Sequence, residues 1–321
     1  EKLVNFKAIR VPDLISGSPV RVCAGNDAKA WLAINVPADA PAGVYTGCLK
    51  FRRGLLTVSR LKYSLKVSER TLTQAHERPF HLDLWQNPYS VARYHGVELW
   101  SEEHFKAMEK VFRPLAEAGQ KVVTATLIDR PWNGQTFDPF GPMVLKTKAA
   151  DGSWSYDYTV FDKWVEFMFS LGIDRQINCY SLIPWALSFD FINADGTPGT
   201  VVAEPGTEAY AAYWAPFIKD FADHLRAKGW FDITHIAMDE RPERAMKEAL
   251  SLIRSVEPDF KVALAGNYHE SIADDIDDLC ISMHRNFPEG VVEARRAAGK
   301  ISTYYTCCSE RYPNTFLSSD P

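Results

Sequence analysis

The chain has 321 residues, about twice a common single-domain length, which leaves room for one large and one small domain. Its 46% apolar and 24% charged residues exclude a disordered, collagen-like or coiled-coil chain. With 36 basic against 41 acidic residues the net charge is -5, which argues against a nucleic acid or an anionic membrane held by charge neutralisation.

Residues 1–74 predict a small all-β, sandwich-like domain. Runs at 20–23, 30–36, 43–52 and 58–67 alternate in polarity or are rich in strand formers, and no helical pattern interrupts them. Between the second and third lies Pro37-Ala38-Asp39-Ala40-Pro41-Ala42-Gly43, which cannot continue a ladder.

Residues 75–321 change to strand, helix, strand. Candidate strands are 80–85, 121–127, 176–181, 234–239, 261–265, 279–283 and 301–307. Ser101 caps a helix with Glu102 and Glu103 in its first turn, Phe105, Met108, Phe112 and Leu115 on one face, and Gly119 as its stop. Pro114 lies inside that helix and is expected to bend it. Phe161, Trp164, Val165 and Met168 repeat the helical spacing before Gly172, as do Tyr210, Tyr213, Trp214, Phe217, Phe221 and Leu225 before Gly229. Most of these aromatic residues are therefore core. The pattern matches a (β/α)8 TIM-type barrel lacking its last βα unit within these residues. A doubly wound open sheet competes, but no GxGxxG or GxxxxGK[ST] follows any strand.

No apolar run of about 18 residues or more predicts a membrane span, and Glu1-Lys2-Leu3-Val4-Asn5 lacks the regions of a signal peptide. The six cysteines show no CxxC spacing, so neither a metal site nor a disulfide framework is expected, and the adjacent Cys307 and Cys308 read as inert.

In a barrel the chemistry sits where strands end. Those ends carry Trp85; Asp129, Arg130 and Trp132; Asn178, Tyr180 and Trp185; Asp239 and Glu240; Asn267 and His269; His284; then Tyr304, Tyr305 and Glu310. Nine Trp are many for such a chain, and Trp85, Trp132 and Trp185 all fall at strand ends beside polar residues. Flat apolar faces next to hydrogen-bonding groups suit a sugar, with one apolar face and a rim of hydroxyls. Asp239 and Glu240 are the sharpest feature, because adjacent carboxylates repel and one of them tends to keep its proton near neutrality. That division serves acid-base chemistry. Acids at the start of the following helix also suit the helix dipole.

The stretch 80–316 resembles glycoside hydrolase family 123, the bacterial β-N-acetylgalactosaminidases. The resemblance rests on His235-Ile236-Ala237-Met238-Asp239-Glu240-Arg241-Pro242, on the segment end containing Trp85, and on Thr303-Tyr304-Tyr305-Thr306-Cys307-Cys308 followed by Pro313-Asn314-Thr315-Phe316. It implies a β-sandwich before the barrel, with residues 38–47 similar to that leading domain. It also implies release of terminal β-linked N-acetylgalactosamine from a glycan or glycolipid by retaining, substrate-assisted catalysis through an oxazolinium, without cofactor or metal. Glu240 would be the general acid and then base, and Asp239 would orient the 2-acetamido nitrogen. Tyr305 or Tyr304 would donate to the acetamide oxygen. The strand ends read above supply the rest of the expected substrate site, Trp85, Asn178, Tyr180, Trp185, Asn267, His269, His284 and Glu310. The family further implies a periplasmic or secreted location. Two alternatives stay open: a double displacement with Glu310 as nucleophile, and a barrel that binds carbohydrate without turnover.

Overall fold

The computed structural model describes residues 32–306, together with Gly25, and the chain divides into two compact units after Leu72. The expected strand at 20–23, Glu310 and the residues from Cys307 onward lie outside the described residues.

The first unit contains one long antiparallel hairpin, β1 (Gly43–Arg53) and β2 (Leu56–Val67), with Gly43 opposite Val67 and Arg53 opposite Leu56. Gly54 turns it in the left-handed region (φ 59), the conformation that lets a two-residue loop follow the strands' twist. The strand expected over 30–36 is not formed in its described part. Residues 32–36 make no ladder, and Leu32, Ile34 and Val36 are exposed. Alternation predicts a strand only where a neighbour supplies hydrogen bonds, and no described third strand pairs with the hairpin.

The second unit begins with α1 (Pro88–His95) and α2 (Glu102–Ala118), followed by β3 (Val122–Thr126), β4 (Leu145–Lys148), β5 (Trp154–Asp157) and α3 (Thr159–Ser170). Then come β6 (Gln176–Tyr180), β7 (Ser188–Asn193), β8 (Pro198–Val202), α4 (Glu208–Lys228), β9 (Thr234–Asp239) and α5 (Glu243–Val256). The last elements are β10 (Lys261–Gly266), β11 (Asp278–Ser282), α6 (Val291–Ala297) and β12 (Ile301–Tyr305). Six strands form a parallel sheet in the order β12-β11-β10-β9-β6-β3. The last strand ends at Tyr305, not at Cys307. Caps set the helices as expected: the Ser101 hydroxyl accepts from the His104 N–H at 3.2 Å, and α2 runs unbroken through Pro114.

A second sheet, β5-β4-β7-β8, was not legible in the sequence. Its hairpins fill the connections after β3 and β6 and lie against the aromatic face of α4. Trp154 and Phe189 each stand within 5.3 Å of the Tyr213 ring, centre to centre. Phe161, Trp164, Phe217 and Phe221 are fully buried in the core. Among the described residues no helix is long and apolar enough to cross a membrane.

The strand expected over 80–85 is corrected to an extended segment making one ladder bridge, Leu82 to Gln120. Two glutamine side chains complete its attachment to β3. The Leu84 N–H donates to Gln120 Oε1 (2.9 Å), while Gln120 Nε2 donates to Leu84 O (3.2 Å) and Val122 O (2.7 Å). Gln86, itself buried, accepts from the Thr124 N–H (2.8 Å) and donates to Val122 O (3.3 Å). Side-chain amides thus stand where backbone amides would pair, and they hold the segment further from β3 than a ladder would. Gln120→Ala leaves several buried backbone groups unpaired, at about 1–3 kcal/mol each. Urea unfolding is expected to show a loss of about 2–3 kcal/mol. A loss under about 0.5 kcal/mol would mean that water replaces the amide.

Candidate active site

Alternate residues of a strand face the same side, and the register brings the inward residues into rows. Tyr180, Ala237, Ala263 and Asp278 stand in one row. One step toward the carboxyl ends stand Asp239, Ala265, Cys280 and Thr303. The small alanines leave a cavity of about 590 Å3. Its wall takes residues 80–85 from one edge of the sheet and residues 303–306 from the other, so the sheet curls until both edges face one space.

At the mouth, Asp239 ends β9 and Glu240 follows in the left-handed region (φ 48). Consecutive strand residues normally face opposite sides. The turn at Glu240 breaks that alternation, and both carboxylates line the same cavity. Three contacts hold the turn. The Glu240 N–H donates to Ala265 O (2.7 Å), and Arg241 Nε donates to Asp239 O (2.8 Å). Gly266 lies so close that a Cβ there would meet the Glu240 Cα at 3.4 Å.

The two acids have different surroundings. Glu240 is exposed, and one of its oxygens accepts from the Tyr305 hydroxyl at 2.8 Å. Asp239 is more enclosed. Burial first, and then the charge of Glu240, push its carboxyl up to about 7, against the nearby Arg241. The Trp185 indole N–H also favours the charged form, although it approaches too loosely to count as a hydrogen bond and has no other partner.

Aromatic rings make one wall. Trp85 lies 5.0 Å from Trp132 and 4.8 Å from Tyr180, centre to centre. Trp132 is buried and pins this group against Phe140, whereas Trp85 is 42% exposed and presents a free face.

The floor is polar and, apart from Asn178, was missed in the sequence. Asp83 Oδ2 accepts from Asn178 Nδ2 (3.3 Å), and Gln176 Nε2 donates to Asn178 Oδ1 (2.9 Å) and Asp278 Oδ2 (2.7 Å). His81 Nε2 stands 3.4 Å from Asp278 Oδ2. Burial opposes a charge on His81, but the Asp278 carboxylate outweighs it and raises the imidazole pKa. Asp278 is held below the usual carboxylate range despite its burial, because His81 and Gln176 favour its charge. Asp83 is pushed up to about 7 by burial and by Asp278. Alternation could have found two of these residues, since Asp83 lies two before Trp85 and Asp278 two before Cys280.

Of the predicted substrate residues, Trp85, Asn178, Tyr180, Tyr304 and Tyr305 line the cavity. Trp185 stands behind them, under the Arg241 guanidinium at 5.0 Å from its ring. Asn267, His269 and His284 are not in the lining. His269 faces Glu243 at the start of α5 (3.7 Å), and Asn267 and His284 are exposed on the strand-to-helix connections. The Tyr305 hydroxyl, expected to face an acetamide oxygen, stands at the cavity mouth and donates to Glu240. Among the described residues no group of three or more His, Cys, Asp or Glu is placed to hold a metal ion.

The model of the glycoside hydrolase 123 catalytic domain matches residues 85–321. The chain belongs to glycoside hydrolase family 123. It is similar to a family 123 glycoside hydrolase from Clostridium perfringens, solved in a study of glycolipid glycan hydrolysis. The TM-score is 0.81 and the identity 31%, over 89% of this chain and 53% of that one. The chain thus spans about half the length of that relative. The maltogenic α-amylase AmyB from Thermotoga neapolitana is similar only at TM-score 0.31 and 13% identity, over 56% of this chain and 45% of that one, which carries no argument. No curated protein matches.

The raised pKa of Asp239 has a thermodynamic consequence. Between its unfolded value, 3.8, and about 7 the folded chain keeps a proton that the unfolded chain releases, so stability falls as pH rises across that window. Asp239→Asn removes the effect. Urea unfolding is expected to find the variant up to about 4 kcal/mol more stable than the parent at pH 8 and nearly equal at pH 4. A difference independent of pH would show that Asp239 ionises as an ordinary carboxyl.

Proposed function

We propose that this protein is a glycosidase that releases terminal β-linked N-acetylgalactosamine from a glycan or glycolipid, with retention of configuration and with the substrate's own acetamide as nucleophile. One observation carries this function. Two neighbouring carboxylates enter a single aromatic-walled cavity, the more enclosed one biased toward its protonated form and the other engaged by a tyrosine hydroxyl. On this view the curled sheet that holds them is most of a (β/α)8 barrel.

Such a pair titrates as a unit. Burial and the neighbouring charge favour the protonated form of Asp239. A bound 2-acetamido N–H donates to Asp239 and stabilises its carboxylate, and that new charge holds the proton on Glu240. The acetamide oxygen then attacks the anomeric carbon, the glycosidic bond breaks, and the Glu240 proton passes to the leaving oxygen. The oxazolinium keeps its N–H against Asp239. Water attacks the anomeric carbon from the vacated side, Glu240 takes its proton, and the acetamide reopens. The Tyr305 hydroxyl steadies Glu240 in the charged state between the two transfers. An intramolecular nucleophile is already in place, which is why no protein nucleophile is required. Trp85 and Tyr180 offer flat faces to the apolar side of the ring.

Aryl β-N-acetylgalactosaminides are expected to be cleaved and aryl β-galactosides not. Asp239→Asn is expected to lower kcat/KM by about 10²–10³. Glu240→Gln is expected to lose about 10²–10⁴ on substrates with poor leaving groups and much less on dinitrophenyl substrates, which need little proton donation. Equal turnover of the galactoside would establish a protein nucleophile and overturn the acetamide's role.

A further inference from the structure

The floor of the cavity holds more unpaired polarity than a closed core tolerates. Asp83 Oδ1 and Asp278 Oδ1 are both buried without a hydrogen-bond partner, although both residues line the cavity and Asp278 is only 5% exposed. Buried acceptors without partners are rare and costly, and where they line a cavity they mark what the cavity is built to receive. Asp278 Oδ1, and Asp83 Oδ1 once ionised, accept hydrogen bonds, so the complementary ligand group is a donor, and His81 Nε2 beside them is likewise buried without a hydrogen-bond partner. The acid Oδ2 atoms are already engaged, by Asn178 on Asp83 and by Gln176 on Asp278, which fixes the direction in which each free oxygen points.

The floor and the mouth lie on one sugar-sized axis. Asn178, the partner of Asp83, pairs in register with His235, four residues before Asp239 on β9. At about 3.3 Å per residue that is about 13 Å along the strand, with side chains converging from both ends. Tyr180 stands between, and the charges of Asp83, Asp239 and Asp278 all reach its hydroxyl. In a pyranose the hydroxyl diagonally across from the anomeric carbon is the one at ring position 4. With the anomeric carbon at Asp239 and Glu240, that hydroxyl is the group directed to the floor. Asp83 is also two residues before Trp85 on one extended segment, so the ring that stacks and the carboxylate that accepts come from the same inward face.

We propose that the floor is a hydroxyl-binding subsite in which Asp83, seconded by Asp278, accepts a hydrogen bond from the 4-hydroxyl of the terminal sugar and sets the preference between the two C4 epimers. This rests on the glycosidase function above and adds to it a subsite that reads the 4-position of the terminal sugar. The 4-hydroxyl donates its hydrogen to Asp83 Oδ1, and no covalent step is involved.

The test measures kcat/KM for an aryl β-N-acetylgalactosaminide and its 4-deoxy analogue, on the parent protein and on Asp83→Asn. The folded state of the variant is checked by its melting temperature. Assayed above pH 7, where Asp83 is ionised, the parent protein is expected to lose about 10²-fold on the 4-deoxy substrate, as for a hydrogen bond to a charged group. Asp83→Asn is expected to lose a similar factor on the full substrate but less than about threefold more on the 4-deoxy one, because the lost partners are the same pair. Its discrimination between the galacto and gluco substrates should shrink as well. Full additivity of the two losses, or no 4-deoxy penalty in the parent protein, would overturn the subsite and leave a floor filled by water alone. Calorimetric binding of free N-acetylgalactosamine and its 4-deoxy form to the parent protein needs no variant and no turnover. If neither aryl substrate is cleaved yet free sugar binds through its 4-hydroxyl, the glycosidase function fails and the subsite stands. Turnover with additive losses is the reverse case.

Discussion

A strand cannot aim two consecutive side chains at the same place, and the cavity mouth depends on breaking that constraint at one residue. Glu240 adopts a left-handed backbone, which for a side chain other than glycine costs about 1–3 kcal/mol. The Ala265 carbonyl, the Arg241 side chain and the missing Cβ of Gly266 hold it there. Both acids then reach one space, close enough for the charge of one to set the proton affinity of the other. Had the ladder of β9 and β10 continued one residue further, Glu240 would face the helices and Asp239 would stand alone.

The opposite wall depends on a different irregularity. Residues 80–87 run along β3 but attach through Gln86 and Gln120 more than through backbone pairing. Side-chain amides are longer than backbone ones, so the segment stands off the sheet while its hydrogen bonds are still met. Trp85 and Asp83 are thereby carried inward, toward Tyr180 and Asn178. The chain turns away at once, since the Asn87 side chain caps α1 by accepting from the Ser90 N–H at 3.2 Å.

Mouth and floor share one electrostatic character. Each holds two carboxyls of which one is pushed up to about 7 by burial and by its neighbour, Asp239 above and Asp83 below. In both places the folded chain holds, below about pH 7, a proton that the unfolded chain would release. The aromatic core around α3 and α4 carries no such conflict, and its largest side chains are fully buried.

Periodicity and punctuation in the sequence determined much of this protein. The capped helices α2 and α4, the buried faces of Phe161 to Met168 and Tyr210 to Leu225, and the strands β3, β6 and β9 to β12 all follow local rules of spacing and capping. The Asp239-Glu240 pair was legible because strand ends in such sheets carry the chemistry. Family membership was legible in the motif around it and is shown by the match over residues 85–321. The second sheet was not legible, since its strands are four to six residues long and are specified by packing on α4 rather than by alternation. Neither was the placement of Asn267, His269 and His284 outside the cavity lining among the described residues. Only the tertiary structure decided which polar residues meet. The curl of the sheet brings residues nearly two hundred positions apart, Asp83 and Asp278, to one floor, and the backbone angle of one residue decides that Glu240 joins Asp239. Spacing reports what a segment does against its own neighbours, whereas convergence depends on the twist summed over every strand between them.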